Sequence, residues 1–190
     1  MEEKEIKISL ARLFFPVTVL GPGKRIGLWL TGCQNRCIGC ISPELQNYDP
    51  EREITINNIM KMISSISEAA DGFTISGGEP FYYPEKLYSL VKSLMGINDD
   101  ILIYTGYTLE ELKEKNDRNI DQTLNSCAAI IDGKYIRELN NGKGLRGSSN
   151  QHCHIFKHHS KYRDIEIKEN NLQTLFYDGK ILTIGIPQSG

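Results

Sequence analysis

The sequence predicts an α/β fold on a mostly parallel sheet, followed by a short C-terminal β extension. Three observations carry that prediction. Apolar runs of strand length alternate with helix-periodic segments from residue 26 to residue 131, the pattern of parallel strands joined by right-handed crossovers. The cysteine run 33–40, Gly77-Gly78-Glu79-Pro80 and Asp132-Gly133 each follow an apolar run directly, and sites in parallel α/β folds collect beyond the carboxyl ends of strands. Beyond Asp132 the alternation stops and short strand-like runs take over. With 190 residues and a hydrophobic fraction of 39%, the chain can bury one real core. Residues 1–190 are therefore expected to form a single domain, with a core over about 17–156 and the β extension over about 157–190.

Element by element, residues 6–20 end in Phe14-Phe15-Pro16-Val17-Thr18-Val19-Leu20 and predict a short strand or packed arm. Gly21-Pro22-Gly23-Lys24-Arg25 is a turn by composition. Ile26-Gly27-Leu28-Trp29-Leu30 is a buried strand, and the cysteine loop follows it and runs to about Pro50. Over 54–70, Ile56, Ile59, Met60, Ile63 and Ile66 recur at helical spacing, with Thr55 as cap and Asp71-Gly72 as stop. Phe73-Thr74-Ile75-Ser76 is the next strand. Pro84 to Met95 is a helix with Leu87, Leu90, Val91 and Leu94 inward. Ile101 to Thr105 is a strand, 108–115 a short charged helix capped by Thr108, and Cys127 to Ile131 a strand ending at Asp132-Gly133. Residues 137–151 are polar and glycine-rich, hence loop. Residues 152–156, 163–168, 173–177 and 181–186 predict short strands, with Tyr177-Asp178-Gly179-Lys180 as a hairpin turn.

Composition excludes several classes. The net charge of −2 implies no polybasic surface, so nucleic acid is not an expected partner. No apolar run reaches roughly 18 residues, so no membrane span is expected. The start, Met1-Glu2-Glu3-Lys4-Glu5, is polar and acidic, unlike a secretory signal. Five cysteines, an odd number, argue against a disulfide framework and for a reducing cytoplasm.

The chemistry centres on Thr31-Gly32-Cys33-Gln34-Asn35-Arg36-Cys37-Ile38-Gly39-Cys40, where three cysteines within eight residues are spaced C-x3-C-x2-C. Three thiolates on one loop can hold three corners of a four-iron cubane and leave the fourth iron open to a small molecule; four cysteines are the usual set for electron transfer alone. Zinc and a redox disulfide are the other readings. Zinc motifs pair one C-x2-C with a second or with spaced histidines, and a disulfide accounts for only two of the three thiols. The spacing resembles that of the radical S-adenosylmethionine (radical SAM) enzymes. That resemblance implies a [4Fe–4S] cluster on Cys33, Cys37 and Cys40, whose open iron chelates S-adenosylmethionine, and a partial (β/α) barrel of the radical SAM type.

Further motifs extend the resemblance. Gly77-Gly78-Glu79-Pro80 matches the family's GGE segment, which implies that Gly77, Gly78 and Glu79 contact the amino group of the methionine moiety; taken alone, it is an ordinary strand-to-helix turn with two permissive glycines. Gly21-Pro22-Gly23-Lys24-Arg25 ahead of the cysteine strand is similar to the glycyl-radical-enzyme activating branch. Gly39 stands where much of the superfamily has an aromatic residue, which suits the small activases, and the backbone from Gly39 to Ile41 is implied to meet the adenine. Ile131-Asp132-Gly133-Lys134-Tyr135 and Leu145-Arg146-Gly147-Ser148-Ser149-Asn150-Gln151 resemble the corresponding segments of the activases of anaerobic ribonucleotide reductase. Asp132 and Arg146 are thereby implied at the cofactor, Arg146 as a two-bond partner of a carboxylate. Ser148 and Asn150 can bind ribose hydroxyls or order the loop. Thr105, at a strand end, is a further candidate beside the ligand, with core or rim packing the alternative for it and for Tyr82, Tyr83, Tyr104 and Tyr107. The resemblance covers residues 17 to about 155.

His152 and His154 share a strand face, so a second metal site and a plain strand edge are both open readings. Cys127 and Cys153 read as buried thiols rather than ligands. The resemblance implies anaerobic oxidoreductase chemistry. A low-potential donor of the flavodoxin or ferredoxin type reduces the cluster, and S-adenosylmethionine is cleaved to methionine and a 5′-deoxyadenosyl radical that abstracts a hydrogen atom. Cluster and cofactor carry that chemistry, so no catalytic side chain is assigned and no acid–base dyad is needed. A glycyl radical enzyme is the implied protein substrate, admitted by a barrel open on one side. A radical SAM enzyme acting on a small molecule or peptide, and a non-catalytic iron–sulfur or zinc module, are the competing readings.

Overall fold

A computed structural model describes residues 5–177 and 179–188. The polar start Met1 to Lys4 lies outside the described residues, as does Asp178 of the predicted hairpin turn. Nine strands and five α-helices follow in the order β1 (Lys7–Val17), β2 (Arg25–Leu30), β3 (Glu53–Thr55), α1 (Ile56–Ser64), β4 (Gly72–Gly77), α2 (Pro84–Met95), β5 (Ile101–Tyr104), α3 (Leu109–Glu114), α4 (Arg118–Ser126), β6 (Ala129–Asp132), β7 (His152–Ile155), α5 (His159–Tyr162), β8 (Leu172–Tyr177) and β9 (Lys180–Gly185) among the described residues.

Seven strands form one sheet in the order β3-β1-β2-β4-β5-β6-β7. Its centre, β2-β4-β5-β6, is parallel; β1 joins β2, and β7 joins β6, antiparallel. The fold is mixed α/β with a parallel centre, as predicted, and β3 and β7 are its edges.

Side-chain alternation sorts the two faces. Ile26, Leu28, Phe73, Ile75, Ile101, Ile103 and Ile130 point to one face, where they pack with Ile59 and Ile63 of α1, Leu87, Leu90, Val91 and Leu94 of α2, Leu112 of α3 and Ile120 of α4. Trp29, Leu102, Ala129 and Ile131 point to the other face, toward the segment after residue 145. Thr55 caps α1 by accepting from the Asn58 N–H, and Thr108 with Glu111 forms a capping box on α3.

Three stretches depart from the sequence expectations. The helix predicted over 54–70 ends at Ser64 and gives way to a 3-10 turn over Ser67–Ala69. Residues 118–126, left unassigned by the sequence, form α4, with Thr123 at a buried position where its hydroxyl donates to the Asn119 carbonyl. The strand predicted for 163–168 is absent. Its alternation would place Ile165 and Ile167 on one face, but Ile165 is buried and Ile167 is 75% exposed. The chain turns there instead, with the Ile165 N–H on the Tyr162 carbonyl and the Lys168 N–H on that of Asp164.

Tyr162 explains the turn. At the amino end of the parallel strands Arg25 is fully buried. Its Nε donates to Thr74 Oγ1 at 2.8 Å; its Nη2 donates to the Phe73 carbonyl at 2.6 Å and to Asp100 Oδ1 at 3.1 Å. Asp100 Oδ1 also accepts from the Tyr162 hydroxyl at 2.6 Å, and Oδ2 from Lys161 Nζ at 3.0 Å. Burial pushes the Asp100 carboxyl up, but Arg25, Tyr162 and Lys161 outweigh it and hold the carboxyl below its ordinary range. The glycines of the predicted turn leave room for this knot: a Cβ on Gly21, which has φ +137°, would fall on the Arg25 side chain.

Candidate functional site

The cysteine loop leaves β2 at the carboxyl edge of the sheet and is held from both sides. The Gly32 N–H donates to the Leu45 carbonyl at 2.9 Å and the Cys33 N–H to that of Gln46 at 2.8 Å. From the other side the Gly78 N–H donates to the Leu30 carbonyl at 2.9 Å and the Glu79 N–H to that of Gly32 at 2.7 Å. Both glycines are needed for that approach. A Cβ on Gly77 (φ +112°) would fall on the Leu30 backbone and one on Gly78 on the Gly32 carbonyl. Gly77 and Gly78 thus fit first against the backbone that carries Cys33.

Glu79 completes the junction. It is buried, and its Oε1 accepts from the Phe81 N–H at 3.0 Å and the Thr105 hydroxyl at 2.8 Å. Its Oε2 accepts from the Gly106 N–H at 2.7 Å and from Asn35 Nδ2 at 3.3 Å. Burial pushes the carboxyl above its ordinary range despite these donors. One side chain therefore ties β4, the end of β5 and the cysteine loop together. Asn35, two residues after Cys33, has no sequence signature that would have found it.

Cys33, Cys37 and Cys40 are free and half-buried. The loop reverses at Arg36 (φ +48°) and Gly39 (φ +75°), a conformation that explains glycine in place of an aromatic residue at 39. Burial raises the Cys33 thiol, partly offset by the Asn35 and Arg36 backbone N–H groups. Burial pushes Cys127 and Cys153 up to about 12, so neither is a ready thiolate donor.

A cavity of ≈ 1280 Å³ opens over this junction, larger than a pocket of roughly 300–1,000 Å³ for one drug-sized ligand. Its lining includes the three cysteines, Gly39 and Ile41 of the loop, together with Gly77, Gly78, Glu79 and Thr105. Trp29 and Tyr104 from the sheet, and Ile181–Pro187 from the C-terminal hairpin, also line it. Asp132, Arg146, Ser148 and Asn150 are not among the lining residues. Asp132 is buried; it accepts from the Leu109 N–H at the start of α3, from the His152 N–H, and pairs with His154 Nε2 at 2.9 Å. Ser148 Oγ accepts from the Ile136 N–H, Asn150 Nδ2 donates to the Lys134 carbonyl, and Arg146 Nη1 donates to that of Gln151. Their loop folds around Gln151, whose Oε1 accepts from Gly147 and Ser148 and whose Nε2 donates to the Gly133 carbonyl. Gln151 lines the cavity.

By donor type the thiols fit an iron–sulfur cluster: three soft sulfur donors on one loop can serve as three corners of a cubane. Among the described residues no helix is long and apolar enough to cross a membrane.

Comparison with known proteins agrees with this chemistry. Residues 19–154 match the family described as 4Fe-4S single cluster domain. The anaerobic ribonucleoside-triphosphate reductase-activating protein of Enterobacteria phage T4 is 34% identical over 139 residues, covering 70% of this chain and 85% of that protein. Those of Vibrio cholerae and Escherichia coli K12 are 30% and 28% identical, over 75% and 74% of this chain and 96% and 95% of their own. With its cysteine loop, its glycine junction and these relatives, the chain belongs to the 4Fe-4S single cluster domain family and, within it, to the anaerobic ribonucleoside-triphosphate reductase-activating proteins.

Proposed function

We propose that this protein is a radical SAM activase that installs a glycyl radical on an anaerobic ribonucleotide reductase. The observation that carries the reading is the convergence of Cys33, Cys37 and Cys40 with Gly77, Gly78 and Glu79 on one cavity. Cys33, Cys37 and Cys40 would hold the [4Fe–4S] cluster, and the Gly77–Glu79 segment, with the Gly39–Ile41 backbone and Thr105, would hold S-adenosylmethionine. Asp132, Arg146, Ser148 and Asn150 would support the cofactor through the loops they fix. The seven-stranded sheet is read as a partial (β/α) barrel, within a single domain whose helices lie outside and whose cavity lies inside.

When bound, cluster and cofactor supply a reductive cleavage of the sulfonium, with the electron from a flavodoxin- or ferredoxin-type donor in a reducing cytoplasm. The chain's own residues position and exclude water. Glu79 fixes the distance between the cysteine loop and the ends of β4 and β5, so thiols and cofactor-facing backbone keep one geometry. Trp29 and Tyr104 give the cavity an apolar inner wall.

The test is anaerobic. Reconstituted protein, a chemical reductant, S-adenosylmethionine and the reductase encoded in the same genome should yield a glycyl-radical EPR signal on the reductase, with about one 5′-deoxyadenosine per radical. Repeated turnover of a small molecule without the reductase would replace this reading with the small-substrate one.

A further inference from the structure

The hairpin β8–β9 lies beyond the residues matched by the family, yet β9 forms a wall of the cavity. Leu182, Ile184 and Ile186 face the body of the protein and pack with Trp29, Tyr104 and Val17. The register fixes where the backbone points. Tyr177 pairs with Lys180 with two residues between them, so Tyr177/Lys180, Leu175/Leu182 and Gln173/Ile184 are the hydrogen-bonded pairs, and Phe176/Ile181, Thr174/Thr183 and Leu172/Gly185 are not. The N–H and C=O groups of Ile181, Thr183 and Gly185 therefore point away from β8. Among the described residues none of them has a hydrogen-bond partner. The cavity is lined by Ile181–Pro187 and by no described residue of β8, so the unpaired edge on the cavity side is that of β9.

We infer that β9 is a docking strand for the protein substrate: an extended segment of the reductase adds to its free edge and is thereby laid along the cavity that holds the three cysteines. The inference rests on the activase reading. A free strand edge binds any extended backbone through main-chain hydrogen bonds, spaced every second residue. It suits a substrate whose reacting group is itself backbone, since recognition then needs few side chains. An uncovered edge is otherwise a liability that proteins shield with charge, proline or a covering element. Here the edge residues Ile181, Thr183 and Gly185 carry no charge and include no proline. Gly185 has φ +122°, and a Cβ there would fall on the Asn171 carbonyl, so glycine lets the end of β9 pack tightly against the start of β8.

Proline distinguishes the two edges of the hairpin, because at a non-hydrogen-bonded position it removes no ladder bond yet blocks an added strand. Thr183→Pro blocks the edge of β9; Thr174→Pro makes the same change on the opposite edge of β8. With full-length reconstituted protein and the reductase, Thr183→Pro should lower the glycyl radical formed per 5′-deoxyadenosine at least tenfold, while Thr174→Pro stays within about twofold of wild type. Hydrogen exchange on the wild type supplies a measurement that needs no variant to fold: adding the reductase should slow the amides of Thr183 and Gly185 but not that of Thr174. Equal coupling in both proline variants, equal loss in both, or no added protection at Thr183 and Gly185 each overturns the docking strand. If wild type itself forms no radical on the reductase, the activase reading falls, and the docking strand falls with it.

Discussion

At the amino ends of β2, β4 and β5 the chain buries a complete ionic knot; at their carboxyl ends it leaves three thiols half-buried over a cavity. Both regions hold a buried carboxylate, Asp100 in one and Glu79 in the other, and the two carboxyls move in opposite directions. Asp100 meets a guanidinium and an ammonium and is held low; Glu79 meets N–H and O–H dipoles, with the weak pull of Lys115 the only cation among its main influences, and burial raises it. A full charge opposite a buried carboxylate closes a site, because nothing is left for a ligand to satisfy. Dipoles fix geometry without placing a full opposite charge against the carboxylate. Stability is concentrated at one edge of the sheet and chemistry at the other, the division that parallel α/β folds permit.

That contrast breaks most clearly at the thiols. Replacing Cys33, Cys37 or Cys40 by alanine should abolish the cluster's absorbance near 400 nm and all reductive cleavage of S-adenosylmethionine. Urea denaturation of the apo variants should move by no more than about 0.5 kcal/mol, the range of changes away from buried networks. Cys127→Ala and Cys153→Ala should keep the absorbance; its loss there would move the cluster from the loop.

The knot should behave in the reverse way. Asp100→Ala leaves Arg25 buried without its carboxylate and should cost about 3–5 kcal/mol in urea unfolding, the usual penalty for stranding one member of a buried pair. The folded fraction should still accept iron at the wild-type ratio per chain. A cost below about 1 kcal/mol would mean that water reaches Arg25 and that the knot is not closed.

The smallest effect is one of pH. Because the Asp100 carboxyl is held below its ordinary range in the folded protein, its ionised form adds stability above the unfolded-state value of about 3.9, and this is lost as pH falls through the folded value. The stability gap between wild type and Asp100→Asn should therefore be level from about pH 7 to pH 5 and narrow below about pH 4. A gap that stays constant to pH 3 would show that the hydrogen bonds of Asp100 matter and its charge does not.

Local signals were legible in the sequence wherever one period ran without interruption. Pro84 to Met95 reads as a helix and is α2, with the four predicted residues inward, because its proline start and apolar stripe need no distant partner. The cysteine spacing and the glycine pair were legible for the same reason: backbone geometry and ligand count are properties of short segments. The turn Gly21-Pro22-Gly23 was visible too, but its purpose was not. Arg25 finds Asp100 75 residues away, and Asp100 in turn recruits Tyr162 from beyond the family match.

Tertiary structure decided the remainder. It turned Arg163 to Lys168 away from the strand that their alternation predicted, since anchoring Tyr162 on Asp100 fixes the preceding helical turn. It placed Thr123 inside, where its hydroxyl is satisfied by α4 itself, so the helix carried too weak an apolar stripe to be recognised. It kept Asp132, Arg146, Ser148 and Asn150 off the cavity lining and brought Gln151 and β9 to its wall. Periodicity reports which face of a segment is buried; what that face meets is fixed by strand order and by the pairing of buried polar groups, which no local stretch of sequence contains.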